Sequence, residues 1–361
     1  MNNMKLIVME NCKELGEKVD EHLKRMNHNG SYIASISNER FSNGEGKIKI
    51  NETVREKDLY IITDIGNYSQ YYKMHGQPHY MSPDEHYQDV KRVISATCGG
   101  ASKITLIMPL LYQSRQDKRK GRESLDCAIA LQELEQLGVN TIVTFDAHNP
   151  GICNAIPKLP FENFYPTHII LEKFIENETE DIGNLLVFAP DMGATERARY
   201  YAEMLGCDMG AFYKRRDLSK VVNGKNPIID HVYMGPDIKG KNAIIVDDMI
   251  ASGQSMIEVA ELLKDKGAKN IYLVATFALL TEGVENFVKA YEKGIFTKLY
   301  STNLSYVPEK IKKERWYCDV DCSYQIAQII NYLNNKKSLA PLYNGKKDIL
   351  DKIERVMVKC E

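Results

Sequence analysis

The chain has 361 residues, a length that suits two ordinary domains better than one. Its 43% apolar and 27% charged residues describe a chain able to build a core, and a formal charge of −2 gives no general pull toward nucleic acid or membrane, so neither is an expected partner. The eight cysteines are scattered without a C-x-x-C pair, and the close pair Cys318 and Cys322 lacks nearby histidines, so reduced thiols are expected.

The opening apolar run, KLIVM, is too short for a signal-peptide core or a membrane span, and no later run is long enough. A cytoplasmic protein is the expectation. Short β-rich runs then alternate with helical patterns, which predicts an α/β fold with mainly parallel sheets. Residues 66–89 are rich in Tyr and His without clear periodicity and read as a long loop. The spacing of His75, His79 and His86 fits no closed metal site, and a tyrosine-rich interface loop is the preferred reading.

KITLIMPL (103–110) predicts a strand, followed by the charged loop YQSRQDKRKGRES. A helix over SLDCAIALQELEQLG is stopped by Gly138, and TIVTFDAH (141–148) is the next strand. PKLPFENFYP suits an extended joint near residues 155–167. A second series follows: strand LLVFAP, a turn at Asp191, helix TERARYYAEMLG, strand GAFYKRR, strand IIVDD, a small-residue loop, a helix over 255–266 and strand IYLVATFAL. On the helix 255–266, Met256, Val259, Ala260 and Leu263 share one face, as a helix covering a sheet requires. The tail KKDILDKIERVMVKCE places Ile349, Ile353 and Val356 at helical spacing and predicts a docking helix. Domains are therefore drawn at 1–160 and 161–335, with a helical tail over 336–361.

The stretch IIVDDMIASGQSM (244–256) carries the most chemistry. Two carboxylates, Asp247 and Asp248, end a buried strand, which is costly without partners. The small-residue loop behind them, Ala251-Ser252-Gly253-Gln254-Ser255, opens a helix, where backbone N–H groups and the helix dipole suit a phosphate. Vicinal sugar hydroxyls on the acids and a phosphate on the loop would satisfy both halves, so a sugar phosphate fits; the plainer alternative is an acidic pair that caps the helix with no ligand.

This loop resembles the phosphoribosyl-pyrophosphate loop of the type I phosphoribosyltransferase fold. Four further segments, in order along the chain, are similar to those of the ribose-phosphate pyrophosphokinase family: FSNGEGKIKINETVREKDLYII, SRQDKRKGRES, FDAHNPGI and FAPDMGATERA, with YKRRD matching the start of that family's catalytic loop. The resemblance implies two tandem phosphoribosyltransferase-like domains, each a mainly parallel sheet flanked by helices, with ATP on the N-terminal side and ribose 5-phosphate on the C-terminal side. It also implies a homo-oligomer. Where the family's loop commonly reads D-D-M-x-D-T-G-G-T, this chain has Ala251, Ser252, Gln254 and Ser255, and residues 66–89 exceed the usual spacing.

Residue roles follow from the same resemblance. Phe41 offers a stacking face for adenine, with Asn43 and Glu45 reading its polar edge; a core Phe followed by a polar turn is the alternative. Arg115 and Gln116 are expected around ATP, while the neighbouring basic run reads as solvated. His148 is expected near ATP and, with Asp191, as a magnesium (Mg2+) position, since magnesium takes few protein ligands and keeps water and phosphate oxygens. Lys214 and Arg216 sit two apart on a predicted strand and are assigned the charge developing during transfer. Asp247, Asp248 and residues 251–255 are assigned to ribose 5-phosphate. The implied reaction moves the β,γ-diphosphoryl group of ATP to the C1 hydroxyl of ribose 5-phosphate and releases AMP. A non-catalytic relative that regulates a synthetase, and a phosphoribosyltransferase acting on a base, are the rival readings.

Overall fold

The computed structural model describes residues 3–216, 228–343 and 345–360, the side chains of 214–216, 228–231 and 357–360 excepted. Along the chain the elements run β1 (Met4–Val8), α1 (Lys13–Asn27), β2 (Ile36–Arg40), β3 (Gly46–Ile50), β4 (Asp58–Ile62), β5 (Tyr71–Met74), β6 (Gln77–Tyr80) and α2 (Pro83–Ala96). Then come β7 (Lys103–Ile107), α3 (Asp126–Gln136), β8 (Thr141–Phe145), β9 (Phe161–Phe164), α4 (Thr167–Asn177), β10 (Leu185–Ala189) and α5 (Thr195–Leu205). The chain continues through β11 (Met209–Arg216), β12 (Ile228–Met234), β13 (Asn242–Ile250), α6 (Gln254–Asp265), β14 (Ile271–Ala278), α7 (Glu285–Glu292) and β15 (Lys298–Thr302). It ends with α8 (Glu309–Lys312), β16 (Tyr317–Val320), α9 (Ser323–Asn334), α10 (Ala340–Tyr343) and α11 (Lys346–Cys360).

Two units result. The first comprises residues 1–166, 303–306 and 321–344, the second 167–302, 307–320 and 345–361. The first unit holds a five-stranded sheet in the order β1-β4-β7-β8-β9, parallel throughout. The proline-bearing joint thus contributes β9, an edge strand paired with β8. Two small antiparallel hairpins, β2–β3 and β5–β6, stand beside this sheet.

The second unit holds seven strands in the order β12-β11-β10-β13-β14-β15-β16, parallel except for the β11–β12 pair. Its central strands read as unbroken apolar runs because helices cover both faces. Successive side chains alternate: Leu186, Ile245 and Leu273 join the cluster built with α6 and α7, and Val187, Ile244 and Val274 the one built with α4, α5 and α11. Met256, Val259, Ala260 and Leu263 of α6 are all buried, as their spacing predicts. Burying each larger one stabilises by about 1.5–3 kcal/mol. Ile349 and Ile353 of α11 dock on the other face, with Val356 packed beside them.

One expected segment differs. Residues 66–89 contain the β5–β6 hairpin and the start of α2 instead of a long loop. His75 and Gly76 connect the strands, both with positive φ (52° and 74°), the backbone that a two-residue hairpin turn requires. Pro83 at the first turn of α2 follows Ser82, which forms a capping box with Glu85. His86 is buried against the Asn67 carbonyl, while His79 lies beside Glu85, so the three histidines do not converge. Among the described residues no group of three His, Cys, Asp or Glu side chains forms a metal cage, no helix is long and apolar enough to cross a membrane, and the seven described cysteines are free.

Candidate active site

In the second unit, β13 runs two residues beyond the expected IIVDD strand, to Ile250, so Asp247 and Asp248 lie within it. Asp247 is partly exposed and Asp248 buried, on opposite faces of the strand. Each carboxylate accepts the backbone N–H of the following residue, Asp248 to Asp247 and Met249 to Asp248, both at 2.9 Å. Burial first, and then the neighbouring Asp248 carboxylate, raise the Asp247 pKa well above the ordinary carboxylate range. The pair therefore holds a proton at pH values where an exposed pair would be fully ionised.

The opposing charge comes from Arg197 on α5, whose guanidinium lies 3.9 Å from both Asp247 and Asp248. The sequence reading missed it. Its signal was present: Arg197 precedes buried Tyr201 by one helical turn, so a charge stands at the edge of the apolar face of α5. Arg199, in contrast, is solvent-facing and pairs with Glu196 and Glu203 along the helix.

Past Ile250 the chain turns through Ala251, Ser252 and Gly253 into α6. Gly253 has φ +72°, and a Cβ there would come within 2.0 Å of the Phe287 ring, so only glycine fits. The Ser252 hydroxyl accepts the Gln254 N–H at 3.3 Å, and Ser255 follows in the first turn of α6. The Gln254 side chain, unusual for this loop, donates to Glu258 one turn on at 2.9 Å, which draws it along the helix. The loop is pinned from behind by the Leu280 N–H on the Ile250 carbonyl. Asp191 follows β10, the strand beside β13, and its Oδ1 accepts the N–H groups of Gly193 and Ala194, leaving Oδ2 outside that cap. Lys214 and Arg216 end β11, but their side chains lie outside the described residues, as does the stretch 217–227.

In the first unit, Phe41, Asn43 and Glu45 form the turn between β2 and β3. Phe41 is 51% exposed, which rules out the core alternative. The turn is closed by the Phe41 N–H on the Glu45 carbonyl (2.8 Å) and by Asn43 donating to the Glu45 carboxylate (3.0 Å). Arg115 and Gln116 are exposed on the loop after β7, and His148 is exposed after β8. These two segments are tied together by Asn149, which donates to Asp117 at 2.5 Å. Asp146, buried two residues before His148, has φ +43°, a strained conformation costing about 1–2 kcal/mol that turns the chain from β8 toward the histidine. No hydrogen bond, ion pair or ring contact joins the 41–45 turn to Arg115 or Gln116 among the described residues.

Residues 4–138 match the model of the N-terminal domain of ribose phosphate pyrophosphokinase, and residues 163–310 that of the phosphoribosyl transferase domain. A ribose-phosphate pyrophosphokinase of Thermococcus kodakarensis is 36% identical over 220 residues, 60% of this chain and 74% of the relative. One from Vibrio parahaemolyticus is 27% identical across 95% of this chain and 100% of its own length. The crystal structure of phosphoribosylpyrophosphate synthetase from Mycobacterium smegmatis covers 93% of this chain and 100% of its own with a TM-score of 0.76 at 22% identity, which establishes the shared fold. With two phosphoribosyltransferase-type units, an acid pair at the end of β13 and a small-residue loop at the start of α6, the chain belongs to the ribose-phosphate pyrophosphokinase family.

Proposed function

We propose that this enzyme transfers the β,γ-diphosphoryl group of ATP to the C1 hydroxyl of ribose 5-phosphate, giving phosphoribosyl pyrophosphate and AMP. The observation that carries the reading is the Asp247–Asp248–Arg197 cluster beside the Gly253 loop. Partly protonated carboxylates both donate to and accept from vicinal hydroxyls, and backbone N–H groups at the start of α6 suit the 5-phosphate. In this reading Ala251, Ser252, Gly253, Gln254 and Ser255 line the phosphate side. In the first unit, exposed Phe41 with Asn43 and Glu45 takes the adenine, and Arg115 and Gln116 add a planar cation and a donor. Lys214 and Arg216 are assigned the charge on the transferring group.

His148 in the first unit and Asp191 in the second are each assigned to magnesium. The fit rests on Asp191, whose Oδ2 is a hard oxygen donor left over by the helix cap. When bound, the ion supplies charge neutralisation on the triphosphate. The chain's own part is alignment of the C1 hydroxyl and cationic stabilisation, which is what diphosphoryl transfer asks of a protein. Family likeness further suggests a cytoplasmic homo-oligomer.

The direct test is AMP release from ATP with and without ribose 5-phosphate in the presence of magnesium. Release that depends on ribose 5-phosphate is expected. AMP formation indifferent to ribose 5-phosphate would falsify the proposal.

A further inference from the structure

The β5–β6 hairpin and α2 play no part in the reading above, yet the hairpin presses on the 41–45 turn and α2 on the strand residues that flank it. That turn is an exposed link between two five-residue strands, and such a link holds its shape only if something braces it. Gly44, at φ +91°, is met by the Tyr72 hydroxyl, which a Cβ on Gly44 would approach to 2.9 Å. That hydroxyl donates to Glu85 at 2.8 Å, and Glu85 is itself fixed by the capping box that starts α2.

On the far side of the turn, a Cβ on Gly46 would meet the guanidinium groups of Arg40 and Arg92 at 2.6 and 2.7 Å. Both guanidiniums converge on Asp89, at 2.5 and 2.7 Å, and its side chain is only 2% exposed. Arg40 also lies over the Tyr72 ring, 5.4 Å from its centre, which links the two sides. One buried carboxylate shared by two cations is a firm anchor, because removing it leaves two poorly exposed guanidiniums side by side without their shared counter-charge.

We infer that Tyr72 and Asp89 are positioning residues for the nucleotide: from the β5–β6 hairpin and α2 they clamp Gly44 and Gly46 and so fix the turn that presents Phe41, Asn43 and Glu45. The inference rests on the proposed assignment of that turn to ATP. It predicts a loss confined to one substrate, since the clamp touches neither the acid pair nor the loop at α6.

Three variants test it: Tyr72→Phe, which deletes one hydroxyl, Asp89→Asn, and Phe41→Ala as a probe of the turn itself. KM for ATP, KM for ribose 5-phosphate and kcat are measured for each, beside a melting curve. Tyr72→Phe is expected to raise KM for ATP by about three- to tenfold, with kcat and KM for ribose 5-phosphate within about twofold. Asp89→Asn should do the same more strongly, and if it does not fold, Tyr72→Phe decides alone. A rise with Phe41→Ala but not with Tyr72→Phe overturns the clamp and leaves the nucleotide assignment standing. No rise with Phe41→Ala overturns the assignment of the turn, and the clamp with it.

Discussion

Arg197 decides what the acid pair can be. Two adjacent carboxylates at a buried strand end repel each other, and burial raises Asp247 further; a single guanidinium at 3.9 Å from each offsets part of both effects. At that distance Arg197 shifts the balance of protonation of the pair. Replacing it by Met keeps most of the bulk and removes the charge. Arg197→Met is expected to raise KM for ribose 5-phosphate about tenfold and to leave KM for ATP within about twofold. The acid limb of kcat/KM for ribose 5-phosphate should move to higher pH, because a carboxylate that loses a nearby cation ionises later. Steady-state kinetics across pH check this, and an unmoved limb would show that another group titrates there.

At the scale of elements, the join of β13 to α6 depends on one close contact. Gly253 sits against Phe287 of α7, whose ring also stacks on Trp316 with centroids 5.7 Å apart. Gly253→Ala should destabilise by about 3 kcal/mol, part from a left-handed alanine and part from the clash. In the double variant with Phe287→Leu, the steric part should return and the backbone part remain, giving a favourable coupling of about 1 kcal/mol in urea unfolding. Strict additivity would mean that Phe287 is not what the new methyl meets. In the first unit, the β5–β6 hairpin shows why some elements were hard to read. Its four-residue strands carry Pro78 and surface tyrosines, and its turn is His-Gly in place of the usual Asn-Gly or Asp-Gly.

Over the whole molecule, the first unit is discontinuous, since residues 303–306 and 321–344 return to it from the far end of the chain. Asp64 holds that return: it accepts the Ser305 hydroxyl at 2.9 Å, the Tyr306 N–H at 2.7 Å and the Gly66 N–H at 2.9 Å. These donors favour the ionised form, yet burial outweighs them and pushes its pKa up to about 6. Folded chains therefore hold this proton more tightly than unfolded ones. The stabilisation is complete below about pH 4 and is lost as pH rises to about 6, a change of about 3 kcal/mol. Asp64→Asn has no proton to lose, so the difference in unfolding free energy between wild type and variant should vary across pH 4–6 and level off above it. A difference constant across that window would mean that Asp64 does not titrate there.

Much of this protein was readable in the chain because its information is local. The unbroken apolar run of β13 and the period-3.6 patterns of α6 and α11 state what is buried, and the small-residue run at 251–255 states where a helix begins. The proposed sugar-phosphate loop is one contiguous stretch, so its chemistry could be listed residue by residue. What only the tertiary structure decided depends on distance in space: Arg197 facing acids 50 residues away, Tyr72 and Asp89 bracing a turn from separate elements, Asp64 gripping Ser305 across 241 residues. The physical reason is the same each time. A buried charge or a crowded glycine has a partner only once the chain has folded, and sequence spacing does not name which one.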